Sequence, residues 1–324
     1  MFRILSLVVA ALTLSAGSLF AQSYDRITLQ IGYGAGGGFD AEGRIMANHL
    51  GRFLPGNPEV IVENVPGAGS LKLLKQYVAK GATDGSQFIL VSPSNVQAPV
   101  LAPNALGFDP RDLKFLASFD NSPAYCIVTA ASGITTLDEF LAAELKLGAS
   151  GKTSTTYVHP AAIKGALDTK HEIVIGFKGT AEIGVAMERG DVQGLCGVSK
   201  NSADRFVRDL GGVVVAELGL APAGVAEFLT DTVTDPEARQ ALEFIFSSTA
   251  IHKPIIAHPD TPDDIVAMLR DALAALAADE AYLAEVAEKK RIVNFTRGEK
   301  VQEIVNQTLE IDPALGEKIR ASLE

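Results

Sequence analysis

The order strand, glycine loop, helix occurs twice near the start of the chain, and it constrains the fold more than any other feature. Residues 26–31 have the composition of a buried strand and run into the glycine cluster at 32–38. Residues 59–63 form a second strand candidate, followed by the loop Pro66-Gly67-Ala68-Gly69. A helical pattern follows each loop. Strands that alternate with helices predict a parallel α/β sheet.

The alternation continues along the chain with different loops. Further strands are predicted at residues 88–91, 125–129, 171–177, 192–196 and 213–218, and helices at 40–54, 70–80, 136–145, 180–189 and from Pro262 onward. At roughly 150 residues per domain, the 324 residues predict two α/β lobes with a cleft between them. Because ligands bind at the carboxyl ends of strands in open α/β sheets, both glycine loops are expected at the cleft.

The first 21 residues have the pattern of a secretory signal peptide. Arg3 provides the positive start, an apolar run extends to Phe20, and small residues follow. Cleavage is predicted after Ala21, with cleavage after Ser18 as the alternative. A retained membrane anchor is the competing interpretation, but the apolar run is short for a span and no Cys is placed for lipidation. We therefore expect a mature protein in the periplasm.

The charge balance excludes some partners. The formal net charge is −11, from 39 acidic and 28 basic residues. Such a chain repels phosphate backbones, so no nucleic acid is expected as a partner. An anionic ligand is still possible, because local backbone N–H groups can outweigh a distant net charge. The two cysteines, Cys126 and Cys196, fit either a disulfide in an oxidising compartment or two buried small side chains.

The first glycine loop formally matches G-x-G-x-x-G from Gly32 to Gly37. A dinucleotide site is the obvious enzyme hypothesis, but export removes the chain from the cytosolic cofactor pool. The acid Glu63 also lies too far along the chain for the usual spacing of about 20 residues. Glycines and a helix N-terminus suit a carboxylate equally well. Asp40 is predicted to cap the following helix.

Two further polar segments are candidates for ligand contact. Ser70 either caps the helix after the second glycine loop or donates to a ligand, and an ordinary tight turn is the alternative for each loop. The polar run at residues 150–157 either closes on a ligand or forms a solvated loop with a helix cap. The five His residues are scattered, and no H-E-x-x-H, C-x-x-C or G-x-S-x-G motif occurs. We therefore expect no enzyme, no metal and no cofactor.

Several blocks of sequence carry a family resemblance. They are residues 33–40 with Arg44, 54–58, 64–71, 177–183, 186–192, 194–197, and short matches at 261–262, 269–270 and 279–280. In this order and spacing they resemble the periplasmic substrate-binding receptors of the tripartite tricarboxylate transporter family, the Bug receptors. Lys178 stands where the family usually has a small residue or Pro, Val185 where Leu is usual, and the chain has no Trp.

The resemblance implies a two-lobed α/β fold of the periplasmic-binding-protein type (type II), which closes on a small carboxylate. Lobe one is predicted at residues 22–120 and 248–324, and lobe two at 121–247. The implied ligand-binding residues are Tyr33, Ala35, Gly36, Gly37, Gly38, Asp40, Pro66, Gly67, Ala68, Gly69, Ser70, Ser94, Ser154, Thr155, Lys178, Gly179, Thr180 and Glu182. The same comparison places the strands of Cys126 and Cys196 side by side, so a disulfide between them is predicted.

The expected function is capture of a carboxylate and its delivery to the membrane subunits of a transporter. The alternatives are a ligand sensor for a membrane signalling partner and, less favoured, an exported enzyme. A monomer is expected.

Overall fold

The computed structural model describes residues 23–323, so the predicted signal peptide lies outside the described residues. Two sheets organise this part of the chain. The strands are β1 (Arg26–Ile31), β2 (Glu59–Asn64), β3 (Gln87–Leu90), β4 (Lys114–Ser118), β5 (Ala124–Val128), β6 (Lys146–Ala149), β7 (Glu172–Ile175), β8 (Gly194–Ser199), β9 (Val213–Leu218), β10 (Pro254–Ala257) and β11 (Thr296–Arg297). The two-lobed α/β class predicted from the sequence is confirmed.

The helices fill the connections between the strands. They are α1 (Gly38–Leu50), α2 (Leu71–Lys80), α3 (Ala98–Leu101), α4 (Leu137–Ala142), α5 (Thr155–Leu167), α6 (Thr180–Arg189), α7 (Lys200–Leu210), α8 (Leu229–Thr232), α9 (Pro236–Phe246), α10 (Asp263–Ala277), α11 (Glu280–Glu288), α12 (Gly298–Leu309) and α13 (Pro313–Ala321). Within residues 23–323, no helix is both long enough and apolar enough to cross a membrane.

The first sheet has the strand order β11-β4-β10-β3-β1-β2. Strand β1 pairs in parallel with β2 and β3, as the strand–helix alternation predicts. The sheet as a whole is mixed, because β10 returns from the far end of the chain and pairs antiparallel with both β3 and β4. Ile27, Leu29 and Ile31 alternate as buried residues of β1 and bind this sheet to its helices.

The second sheet has the order β7-β6-β8-β5-β9 and is also mixed. Strand β6 is parallel to β7 and β8, whereas β5 is antiparallel to β8 and β9. A disulfide joins Cys126 of β5 to Cys196 of β8, and both side chains are fully buried. Every residue of β5 and β8 is buried, so these two strands form the centre of the second core.

The sequence analysis did not predict four of the strands, β4, β6, β10 and β11. Strand β6 falls where the predicted helix 136–145 should end, but α4 stops at Ala142 and the alternation of Leu145 and Leu147 around Lys146 favours a strand. Strands β4, β10 and β11 are short, and β10 begins with a proline. The predicted helical C-terminal part is confirmed, since Leu269, Leu273 and Leu276 of α10 are buried on one face.

Two chain segments connect the sheets. The first runs from β4 to β5 through residues 119–123, and the second runs from α9 to β10 through residues 247–253. Strands of the first sheet lie within residues 26–118 and 254–297, and those of the second within 124–218. Ile319 of α13, in contrast, packs in the core of the second sheet. The lobe limits stay a prediction.

Candidate functional site

A small, partly open cavity lies where elements of both sheets meet. Its volume is about 30 Å³, which is room for one or two water molecules. The lining residues from the first-sheet side are Tyr33, Gly37, Gly38 and Phe39, those from the second-sheet side are Ser150, Thr155, Thr156, Gly179, Thr180, Gly197, Val198, Ser199 and Ser202, and His252 belongs to the second connecting segment. The lining contains hydroxyls and glycine backbone and no Asp, Glu, Lys or Arg.

The first glycine loop forms one wall of the cavity. Gly36 has φ of +79°, a conformation that favours glycine. The N–H of Gly34 donates to the carbonyl of Lys178 at 2.8 Å, and the N–H of Gly38 donates to Thr180 Oγ1 at 3.3 Å. This loop therefore holds the two sides of the cavity together through its backbone.

Asp40 fixes the shape of that loop from behind. Its carboxylate accepts hydrogen bonds from the Gly36 N–H at 2.8 Å, Arg44 Nε at 2.9 Å and Asn64 Nδ2 at 2.9 Å. Burial raises the pKa of Asp40, but the bonds from Arg44, Gly36 and Asn64 outweigh burial and hold the pKa below its usual value. The prediction that Asp40 is the N-cap is wrong. Gly37 takes that position. Asp40 is the third residue of α1, and its carboxylate reaches back to the preceding loop.

The second glycine loop is built differently and does not line the cavity. Gly67, Ala68, Gly69 and Ser70 all have positive φ, at 149°, 49°, 64° and 71°. Thr153 Oγ1 donates to the carbonyl of Ala68 at 2.9 Å. Of the predicted ligand contacts in this loop, none from Pro66 to Ser70 reaches the cavity wall. The loop packs instead against the segment that precedes α5.

Ser70 occupies the N-cap position of α2, but its hydroxyl makes no capping bond. Its Oγ instead accepts from the Ser92 N–H at 2.8 Å and from Asn95 Nδ2 at 2.7 Å. Of the two alternatives for Ser70, the helix cap is therefore not formed, because its hydroxyl bonds to the loop after β3 instead.

Tyr33 links the two glycine loops. Its side chain lines the cavity, and the hydroxyls of Ser92, Ser70 and Ser150 surround its phenol. Burial raises the pKa of Tyr33 to about 12, against the opposite influence of these hydroxyls. The phenol is therefore neutral at physiological pH and can donate a hydrogen bond.

Four helices begin at the cavity. Gly38 is the first residue of α1, Thr155 of α5 and Thr180 of α6, while Ser199 is the N-cap of α7, and all four residues line the cavity. Each helix has ten or more residues. Each N-terminus carries a partial positive charge of roughly half an elementary charge. The arrangement therefore favours an anion without a buried Lys or Arg.

Several predicted residues lie near the cavity without lining it. Ser154 is fully buried and donates from Oγ to the Gly151 carbonyl at 2.7 Å. Glu182 accepts from the Lys178 N–H at 2.5 Å and braces the turn before α6. Ser94 lines a separate cavity of about 510 Å³ beside Lys152. Ala35, Gly36, Asp40, Lys178 and the Pro66–Ser70 loop are also outside the lining.

Of the residues predicted to bind the ligand, six line the cavity: Tyr33, Gly37, Gly38, Thr155, Gly179 and Thr180. The sequence analysis did not single out the lining residues Phe39, Gly197, Val198, Ser199, Ser202 and His252 as ligand contacts. Gly197 carried a usable signal, since it ends a block that resembles the family. It has φ of +74°, and a Cβ there would lie 2.2 Å from the Thr155 carbonyl oxygen. His252 carried none: it is one of the five scattered His residues, and it is buried at the cavity with Nδ1 hydrogen-bonded to the Ser122 carbonyl.

Groups of three or more His, Cys, Asp or Glu that could hold a metal ion do not occur among residues 23–323.

The solved structures with the same fold are two-lobed binding proteins. The periplasmic binding protein BugD matches with a TM-score of 0.74 and 20% identity, over 92% of this chain and 97% of that one. MatC from Rhodopseudomonas palustris, solved with bound malate, matches with a TM-score of 0.72 and 17% identity, over 92% and 99% of the two chains.

The sequence comparison narrows this class to one family. Residues 44–209, about half of the chain, match the profile of the tripartite tricarboxylate transporter family receptor, TctC, and the chain belongs to this family. A curated relative, the UPF0065 protein in gbd 5'region of Cupriavidus necator, is 31% identical over 175 residues, 51% of each chain. The matched region therefore covers about half the length of that relative. The family resemblance inferred from the sequence is confirmed.

Proposed function

We propose that the protein is a periplasmic receptor that captures a small carboxylate by closing its two lobes and delivers it to the membrane subunits of a tripartite tricarboxylate-type transporter. The observation that carries this proposal is the meeting of four helix N-termini at one hydroxyl-lined cavity. Oriented N–H groups and hydroxyls stabilise a carboxylate without a buried counter-charge. Proteins of the same fold have been solved with bound malate and with adipate, which supports this ligand class.

Closure follows from where the ligand would lie. Residues on both sides of the cavity contact one another directly, as in the bonds of Gly34 and Gly38 to the Lys178–Thr180 turn. A cavity of about 30 Å³ is too small for a dicarboxylate, so the cleft must open for the ligand to enter and must close around it to a wider cavity than the one in this structure. A ligand that contacts both walls then shifts the open–closed equilibrium by its differential affinity.

The test is a thermal-shift screen of the mature protein after unfolding and refolding, which removes any carried ligand. The panel contains mono-, di- and tricarboxylates, aromatic acids, amino acids, and NAD as a control. A ligand at 100 times its Kd adds about 2.7 kcal/mol of stability, which raises the Tm by about 5 °C. A shift with one class of carboxylates is expected. A shift with NAD alone would contradict the proposal and restore the dinucleotide hypothesis.

A substitution at the cavity wall tests the same site. Gly37 has ordinary φ, and a Cβ there would lie 3.2 Å from Thr180 Oγ1. Gly37→Val is therefore expected to fold but to lose carboxylate binding by at least tenfold, because its side chain would fill the cavity. Calorimetric titration with the best ligand of the screen measures this loss. Wild-type affinity in a folded Gly37→Val protein would exclude this cavity as the ligand site.

A further inference from the structure

His252 holds the two connecting segments together at the cavity. Its backbone N–H donates to the Asp120 carbonyl at 2.8 Å, and its Nδ1–H donates to the Ser122 carbonyl at 3.3 Å. The side chain is 2% exposed and lines the cavity. Because Nδ1 is occupied by this bond, Nε2 is the ring nitrogen left to take up a proton.

Among the lining residues, His252 has the side chain whose ordinary pKa, about 6.5, lies nearest to neutral pH. The cavity wall contains no Asp, Glu, Lys or Arg, and the pKa of Tyr33 is raised to about 12. The helix N-termini and hydroxyls supply only partial positive charge, so a buried carboxylate still carries a net negative charge that is costly unless it is compensated further. A protonated imidazole in the wall would supply that compensation.

The groups around His252 leave it neutral in the empty cavity. Burial is the main cause that lowers the pKa of His252, Asp120 opposes this effect, and Lys253 adds to it. His159 on α5 is buried, and its burial is the main cause that lowers its pKa to about 3. The nearby His252 lowers the pKa of His159 further. The Lys253 ammonium pairs with Glu42 at 3.0 Å and with Asp120 at 3.3 Å. Arg291 also pairs with Glu42, at 2.9 Å.

We propose that carboxylate binding in this cavity is coupled to uptake of one proton from solvent by His252 Nε2, so that ligand and proton are captured together. The proposal rests on the proposed function. The carboxylate and the imidazolium form a neutral pair inside the closed cleft, and no covalent bond changes. Release of the ligand returns the proton to solvent.

The sign of the pH dependence follows from linkage. The liganded state has the higher His252 pKa and therefore binds more protons than the free state. Affinity is then constant below the pKa of the free protein, which lies below 6.5. Above that value affinity falls, by up to tenfold per pH unit, until the pKa of the liganded state is reached. Binding is thus expected to weaken as the pH rises from the free-state pKa of His252, which lies below its ordinary value, to the higher pKa of the liganded state.

The experiment measures Kd by calorimetry from pH 5.5 to 8.5 for malate, adipate and the strongest ligand of the screen. Each titration is repeated in buffers of different ionisation enthalpy, which reports the number of protons taken up. Uptake approaching one proton at a pH between the free-state and liganded-state pKa values, and a His252 ring resonance whose pKa rises on ligand binding, are expected. Wild-type binding with no pH dependence and no proton uptake would overturn the proposal but not the receptor function.

Two variants identify the group that takes the proton. His252→Asn retains a donor for the Ser122 carbonyl but cannot be protonated, and it should bind with a flat pH profile at the level of the wild type at high pH. His159→Gln is the matched control, since His159 is buried nearby without lining the cavity, and it should keep the wild-type slope. An unchanged slope in His252→Asn, or its loss in His159→Gln, would overturn the assignment. If no carboxylate binds to the wild-type protein, the proposed receptor function itself is wrong.

Discussion

The two glycine loops share a sequence pattern but have different surroundings. The first, at residues 32–38, has one residue with positive φ and presents its backbone to the cavity. The second has four consecutive residues with positive φ and presents its backbone to another segment of the protein. There, a Cβ on Gly151 would lie 2.6 Å from the carbonyl carbon of Ala68.

The loops are also held by different forces. Loop one is supported by charge, since the Arg291 guanidinium donates to the Gly38 carbonyl at 3.2 Å and pairs with Glu42 of α1. Loop two is held by neutral hydrogen bonds to Ser70 Oγ and to the Ala68 carbonyl. A glycine-rich loop after a strand thus indicates a close approach to the backbone, but it does not say whether the approaching group is a ligand or the protein itself.

The largest effect is expected at the charged support of loop one. Glu42→Gln leaves Lys253 and Arg291 without their shared carboxylate in a fully buried cluster. Removal of one partner from a buried ion pair costs about 3–5 kcal/mol. Urea unfolding, with the midpoint compared at equal m-value, measures the loss. A destabilisation below about 1 kcal/mol would show that charge does not hold loop one.

The next effect tests the packing of loop two. Gly69 has φ of +64°, and a Cβ there would lie 2.8 Å from Ser154 N and Cβ. Gly69→Ala is expected to destabilise the protein by about 2–4 kcal/mol, from backbone strain and overpacking. Gly37→Val is its matched control, because it should lose binding rather than stability. If the two variants exchange these phenotypes, the assignment of one loop to the ligand and one to the protein is wrong.

A smaller effect is expected at the neutral support of loop two. Ser70→Ala removes the acceptor of two buried donors, the Ser92 N–H and Asn95 Nδ2. The expected loss is about 1–3 kcal/mol of unfolding free energy, and it should be insensitive to salt. Thermal denaturation at low and high ionic strength provides the comparison with Glu42→Gln. A loss as large as that of Glu42→Gln would erase the distinction between the two supports.

The smallest effect concerns the contact between α7 and loop one. Arg205 Nη1 donates to the Gly36 carbonyl at 2.6 Å and so joins α7 to loop one. Arg205→Gln should weaken ligand affinity by about fivefold, or roughly 1 kcal/mol, by removing one bond of the closed state. Stopped-flow kinetics should show this loss mainly as faster release. A slower association with unchanged release would argue that Arg205 steers the ligand instead.

The sequence predicted the parts of the fold that depend on local pattern. Strand β1, helix α6 and strand β9 lie at or within a residue of their predicted limits, because apolar alternation and flanking glycines mark them. The direction of β10 could not be predicted, since its partners β3 and β4 are distant in sequence and four apolar residues carry no sign of orientation.

The same division holds for the site. Glycines and hydroxyls at strand ends were recognised because their position relative to a strand is local information. His252 was not, because only the crossing of two connecting segments brings it to the cavity. Residues of loop two were assigned to the ligand because the glycine pattern alone does not distinguish a ligand from the Gly151–Ser154 backbone.

The position of β10 between β3 and β4 also determines the order in which the two sheets can be completed. The strands of the second sheet are contiguous from Ala124 to Leu218, whereas the first sheet requires Ile255 to pair with Leu90 and with Ala117. In a chain delivered from its N-terminus, the second sheet has all its strands while β3 and β4 still have unpaired edges, which are prone to association. The half of the molecule that emerges first is therefore the half that is completed last.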